Sequence, residues 1–203
     1  MIIGVVLAAG MSTRFSGNKL LYKWWGKPII KHTVENILNS SIDQVVVVTG
    51  HMHREISSTL EDLGSSIDIT YNPDYRSGMS TSVKHGVKYI VEKYGRNVEA
   101  IVFTPGDCAW IPSIIYDLVI TYFYENKPLI VVASYHKRRG HPILFNSRLI
   151  PELLNISEET RGLKYVVKKY WWGLREYEVN HPGVLLDIDT YNDLNRVKYM
   201  IKK

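Results

Sequence analysis

The chain has 203 residues, 45% of them hydrophobic and 22% charged, a balance that suits a globular protein able to bury a sizeable core. Its single cysteine, Cys108, excludes an intrachain disulfide and fits a reducing compartment, so a cytoplasmic location is expected. The net charge of +5 favours anionic partners, but basic residues cluster only at Lys137-Arg138-Arg139 and Lys202-Lys203, so nucleic acid is not expected as the main substrate.

The chain opens with an apolar run, Ile2 to Leu7, that lacks a preceding basic region and passes through Ala8-Ala9-Gly10 into a polar loop, so it reads as a buried strand rather than a secretory signal. No run reaches the length of a membrane span. Pro28 to Leu38 follows as a helix, with the proline suited to its first turn. Val45 to Val48 is a second Val/Ile-rich strand. Val83, Val87, Ile90 and Val91 share a helical face, and Gly95 fits the C-terminal cap. Ala100 to Phe103 is a third strand, Pro112 to Tyr124 a helix, and Leu129 to Ala133 a fourth strand. The stretch from Tyr135 to Asp187 is less regular, with short strands expected at Pro142–Phe145 and Val184–Asp187 and a helix around Leu163–Tyr170. Thr190 and Asp193 suggest a capping box before Leu194, Val197 and Ile201. Strands alternating with helices predict an α/β fold, a Rossmann-like, doubly wound, mostly parallel sheet in a single domain, and no linker divides the chain.

Ligands of such sheets bind beyond the carboxyl ends of the strands, so the loop after the first strand is the first place to look. It reads Leu7-Ala8-Ala9-Gly10-Met11-Ser12-Thr13-Arg14-Phe15-Ser16-Gly17-Asn18-Lys19. Small residues let backbone N–H groups approach phosphate oxygens, and Arg14 and Lys19 supply neutralising charge. Neither the Walker spacing nor G-x-G-x-x-G is present. The plainer reading is a solvated surface loop.

With a lysine five residues after the arginine, this loop resembles that of the molybdenum-cofactor nucleotidyltransferases in the MobA-like NTP transferase superfamily, and more specifically their cytidylyltransferase branch. The guanylyl branch has L-A-G-G where this chain has Leu7-Ala8-Ala9-Gly10. The resemblance implies that Leu7, Ala8, Ala9, Gly10 and Ser12 cradle a triphosphate, with Arg14 and Lys19 on its phosphates.

Three further segments extend the resemblance. Ser77-Gly78-Met79-Ser80-Thr81-Ser82 is similar to a nucleotide-reading element, which implies nucleotide contacts from Gly78, Ser80 and Ser82; either serine alone could simply cap a helix. Thr104-Pro105-Gly106-Asp107 ends the third strand, where a carboxylate is well placed to hold Mg2+. The resemblance places Gly106 beside the nucleotide and Asp107 on the metal, against the plainer reading of Asp107 as a cap for the helix near Pro112. After Gly106-Asp107 the family continues Gln-Pro or Met-Pro, whereas here stands Cys108-Ala109-Trp110. In Leu186-Asp187-Ile188-Asp189-Thr190, either Asp187 or Asp189 would complete the metal site, or Asp189 would cap the last helix.

Gly140-His141-Pro142 resembles the family's acceptor-side strand, with His141 at the acceptor or merely in a turn. Cys108 beside Asp107 lacks a histidine partner in sequence, His51-Met52-His53 lacks a third ligand, and Trp24-Trp25 and Trp171-Trp172 read as packing or interface aromatics.

Residues 1–203 are thus expected to form one nucleotidyltransferase domain with an irregular acceptor-side lobe at about 135–187. The implied reaction is Mg2+-dependent transfer of CMP from CTP to a phosphorylated acceptor, molybdopterin or its molybdenum form, with a molybdoenzyme receiving the product. A sugar phosphate, an alcohol phosphate or phospholactate is an alternative acceptor. A non-catalytic carrier of a nucleotide-bearing cofactor is the alternative from another class.

Overall fold

Apolar residues facing both ways build the centre of the fold, described by a computed structural model for residues 1–15, 17–188, 190, 192–195 and 197. The strands are β1 (Ile2–Ala8), β2 (Lys23–Trp24), β3 (Lys27–Pro28), β4 (Gln44–Thr49), β5 (Ile67–Tyr71), β6 (Ala100–Pro105), β7 (Ile130–Tyr135), β8 (Arg138–Asn146) and β9 (Leu174–Glu178). The helices are α1 (Ile29–Leu38), α2 (His53–Thr59), α3 (Met79–Tyr94), α4 (Ser113–Asn126), α5 (Ile150–Leu154) and α6 (Leu163–Lys169). Seven strands form one sheet in the order β5-β4-β1-β6-β8-β7-β9, and β2 and β3 pair separately. β5, β4, β1 and β6 run parallel; β8 is antiparallel to both β6 and β7; β9 is parallel to β7.

Alternation along β1 separates two cores. Ile2, Val6 and Ala8 pack with Ile30, Val34 and Ile37 of α1 and with Ile115, Val119 and Phe123 of α4. Ile3 and Val5 turn to the opposite face, with Val83, Val87 and Ile90 of α3, Leu153 of α5 and Val166 of α6. α3 lies so close to the sheet that a Cβ at Gly86 would stand 2.9 Å from a Val48 methyl.

The chain leaves β1 towards β4 and β5 and returns to place β6 on the other side of β1. Neighbouring carboxyl ends from which the chain departs in opposite directions form a crevice, and here they are those of β1 and β6.

Several expectations need correction. Val184–Asp187 is not a strand: Pro182–Leu185 forms a 3-10 turn, with Gly183 and Val184 buried. Apolar burial there comes from packing on the sheet without joining it. Pro142–Phe145 is part of the longer β8, and Pro28 and Pro112 sit at the N-cap positions of α1 and α4 rather than within their first turns. β5, β9, α2 and α5 were not anticipated. The Asp193 carboxylate accepts from the Thr190 backbone N–H at 2.7 Å and its hydroxyl at 2.8 Å, as a capping pair does, and residues 192–195 are helical. Ile201 lies outside the described residues.

Candidate active site

β1 delivers the chain at Ala8 into the loop ending in a short 3-10 turn at Lys19–Leu21. Ser12 has a positive φ of 52°. Phe15 is buried among Trp24, Trp110, Leu186 and Ile188, which pins the middle of the loop, and the Trp110 indole donates to the Leu186 carbonyl at 2.9 Å. Asn18 is buried, and its Oδ1 accepts from the Leu20 N–H at 2.9 Å. The loop is thus held from beneath while Gly10 and Arg14 stay exposed.

Above it lies a cavity of about 340 Å3. The loop contributes Leu7, Ala9, Gly10, Ser12, Arg14 and Lys19 to its wall, the start of α3 contributes Gly78 and Ser82, and the end of β6 contributes Asp107. Ala8, Ser80, Gly106, His141 and Asp187 are not part of that wall, and Asp189 lies outside the described residues. Neither serine of α3 is its N-cap, a position held by Gly78, and α4 starts from Pro112 without help from Asp107.

Asp107 is 5% exposed and engages Lys19, whose Nζ lies 2.6 Å from its Oδ2. The same ammonium donates to the Ile188 carbonyl at 2.7 Å. Oxygens from two distant segments therefore converge on one positive charge, the donor chemistry a hard cation also requires.

Asp187 is exposed, yet its charge, like that of Asp107, acts on both His141 and Cys108. Burial lowers the His141 pKa below the usual histidine value against the pull of both carboxylates, and its Nδ1 is buried without a hydrogen-bond partner. Burial, reinforced by Asp107 and Asp187, pushes the Cys108 thiol well up, which keeps it neutral and unsuited to nucleophilic work.

Among the described residues no three of His, Cys, Asp and Glu gather to hold a metal. His53 instead shares a 2.7 Å hydrogen bond with Thr49. Trp24 is buried, whereas Trp25, Trp171 and Trp172 are exposed.

Several contributors to the site escaped the sequence reading. Arg76 lines the cavity, as does Met79, although Arg76 stands only two residues before the Gly78 that was singled out. Asn72, 1% exposed at the end of β5, donates from Nδ2 to the hydroxyls of Ser82 at 3.0 Å and Thr81 at 2.9 Å, fixing the serine in the wall. No short motif marks it.

Residues 4–174 match the family described as the MobA-like NTP transferase domain. A probable molybdenum cofactor guanylyltransferase of Thermococcus sibiricus is 34% identical over 146 residues, 70% of this chain and 66% of the relative, so the chain spans just under two thirds of that protein. The molybdenum cofactor cytidylyltransferase of Escherichia coli is 24% identical over 96% of this chain and 94% of its own. In fold, the chain is similar to a manganese complex of a Mycobacterium tuberculosis protein, with a TM-score of 0.73, 23% identity and 97% of each chain covered.

Proposed function

The chain belongs to the MobA-like NTP transferase family and is a nucleotidyltransferase, and from this premise we propose that it transfers CMP from CTP to molybdopterin or its molybdenum form, releasing pyrophosphate. The observation that carries this reading is the meeting of Arg14, Lys19 and Asp107 in one cavity at the β1/β6 crevice. The cytoplasm is the proposed location; among the described residues no helix is long and apolar enough to cross a membrane.

Backbone N–H groups from Ala9 to Ser12 approach the triphosphate, and Arg14 and Lys19 neutralise it. Gly78 and Ser82 present the start of α3 to the base or ribose. An acceptor phosphate oxygen attacks the α-phosphorus in line, a new P–O bond forms, and the bond to the β-phosphate breaks as pyrophosphate leaves. That nucleophile is already ionised at neutral pH, so positioning and charge neutralisation carry the reaction and no general base is needed. Convergence of Asp107 and the Ile188 carbonyl on the Lys19 ammonium fits a divalent cation, which Asp107 would hold together with Asp187 or Asp189. When bound, Mg2+ would neutralise phosphate charge and polarise the reacting phosphoryl group. His141, on β8 in the 135–187 region, is the proposed acceptor contact.

A second reading takes GTP as the donor, favoured by the 34% identity to the relative named as a guanylyltransferase. Leu7-Ala8-Ala9-Gly10 favours CTP. Pyrophosphate release is measured with CTP, GTP, ATP and UTP against molybdopterin and other phosphorylated acceptors, with and without Mg2+. The expected result is Mg2+-dependent release with CTP and molybdopterin, lost in Asp107→Ala while the circular dichroism spectrum is unchanged. Preference for GTP refutes the cytidylyl assignment, and full activity of Asp107→Ala refutes the site.

A further inference from the structure

Ser80 follows two residues after Gly78, yet it does not reach the cavity that Gly78, Met79 and Ser82 line. Successive helical residues point about 100° apart, so the first turn of α3 has an inner side facing the cavity and an outer side carrying Ser80. The outer side is engaged by a residue from the far end of the chain. The Glu158 carboxylate accepts from the Ser80 backbone N–H at 2.6 Å and also from the Ser80 hydroxyl, and Ser80 is 2% exposed. A helix N-terminus leaves N–H groups without intrahelical partners and favours negative charge. Here the chain supplies that charge from residue 158.

Two features show that this contact is built. Gly78 has a φ of +109°, and a Cβ there would stand 2.3 Å from the Glu158 Cγ and Cδ, so the glycine makes room for the glutamate stem as well as for the turn. The Glu158 segment holds its own shape: Arg161 N–H donates to the Glu158 carbonyl and Gly162 N–H to the Ser157 carbonyl, each at 2.9 Å, and the Ser157 N–H donates to the Thr160 hydroxyl at 3.0 Å. The two hydrogen bonds from Ser80 hold the Glu158 carboxyl below the usual glutamate range.

We propose that Glu158 is a positioning residue for the nucleotide. It ties the acceptor-side segment 157–162 to the outer side of the α3 start, and so fixes the inner side, Gly78, Met79 and Ser82, against the nucleotide. This rests on the reading of the cavity as the nucleotide site. Glu158 touches no substrate; it acts through Ser80, so its loss weakens nucleotide binding more than it slows the chemical step.

The test compares wild type, Glu158→Ala and Glu158→Gln in pyrophosphate release, with the KM for nucleotide and acceptor and kcat obtained separately, alongside the thermal midpoint and hydrogen exchange of the 79–82 amides. Glu158→Ala is expected to raise the nucleotide KM roughly threefold to tenfold, the equivalent of a lost charge-assisted hydrogen bond partly open to water. kcat and the acceptor KM should change little, and the 79–82 amides should exchange faster. Glu158→Gln keeps an accepting oxygen and should recover much of the loss. An unchanged nucleotide KM in Glu158→Ala, with the wild type active, overturns the inference and leaves the proposed function standing. So does a fall in the thermal midpoint with the nucleotide and acceptor KM values moving together, which marks a merely structural contact. No pyrophosphate release by the wild type under any of the four nucleotides overturns both.

Discussion

Lys19 occupies the position on Asp107 that a divalent cation held there would need. Its ammonium already spans Asp107 Oδ2 and the Ile188 carbonyl at 2.6 and 2.7 Å, so any metal entering there competes with a charge the protein carries itself. The same ammonium is proposed to neutralise the triphosphate, so substitution should act in opposite directions on the two ligands. Lys19→Met is expected to bind Mn2+ alone roughly fivefold more tightly, the equivalent of an ion pair worth about 1 kcal/mol, and to bind CTP more weakly. Electron paramagnetic resonance of free Mn2+ and calorimetry with CTP read the two effects; weaker Mn2+ binding by the variant would sink the argument. The sequence singled out Arg14, Lys19 and Asp107 as charges following the ends of buried strands, and the fold brings all three to one cavity wall. Asn72, Arg76 and Glu158 were not legible there, because each takes its meaning from what the fold brings to it. Asn72 depends on an edge strand ending beneath α3, and Glu158 on a contact made 78 residues away in sequence.

α3 shows how an element is held at both ends. Its start is met by Glu158, and its last turn is tied to β5, where Asp68 accepts from Lys93 Nζ at 2.5 Å and from the Tyr94 hydroxyl. Burial, and then the Asp68 hydrogen bond, push the Tyr94 phenol from its ordinary 10.0 up to about 12. A raised pKa means that the fold prefers the protonated phenol. That stabilisation is fully present below the unfolded value and is lost as pH climbs through 10 towards 12. Lys93, raised by the same carboxylate, loses its contribution in the same direction at still higher pH. Urea midpoints for wild type are therefore expected to fall between pH 10 and 12, and Tyr94→Phe should flatten that fall; parallel curves would show that the contact contributes nothing. At this scale the buried strands were legible and the edge strands were not. β1, β4 and β6 are apolar on both faces, whereas β5 and β9 carry the polar residues that an open edge needs: Asp68 and Thr70 in one, Arg175, Glu176 and Glu178 in the other. Val184 and Leu185 misled in the opposite sense, since an apolar pair after Pro182-Gly183 can bury itself in a 3-10 turn.

For the whole molecule, the alternation of strands and helices sufficed to predict a doubly wound sheet, and that topology fixes where a ligand sits before any side chain is considered. Legibility stopped at the second half of the sheet, because nothing in a strand's own residues states its direction, and β8 turns antiparallel between β6 and β7. The cavity draws its wall from the β1 loop, the start of α3 and the end of β6, of which the first and last already meet through Lys19 and Asp107. A nucleotide that contacts all three links them directly, and because only the folded chain assembles them, binding must stabilise the fold. At a nucleotide concentration about 100 times Kd the linkage amounts to about 2.7 kcal/mol, enough to raise the thermal midpoint by several degrees. With CTP and Mg2+ together the wild type is expected to show this rise. Arg14→Ala should show less of it at the same concentration, and Asp107→Ala should lose the increment that Mg2+ adds while keeping part of that from CTP alone. Differential scanning calorimetry across a CTP titration decides the matter. A midpoint indifferent to CTP at millimolar concentration would mean that the three segments do not share a ligand, and a metal increment that survives Asp107→Ala would place the cation elsewhere.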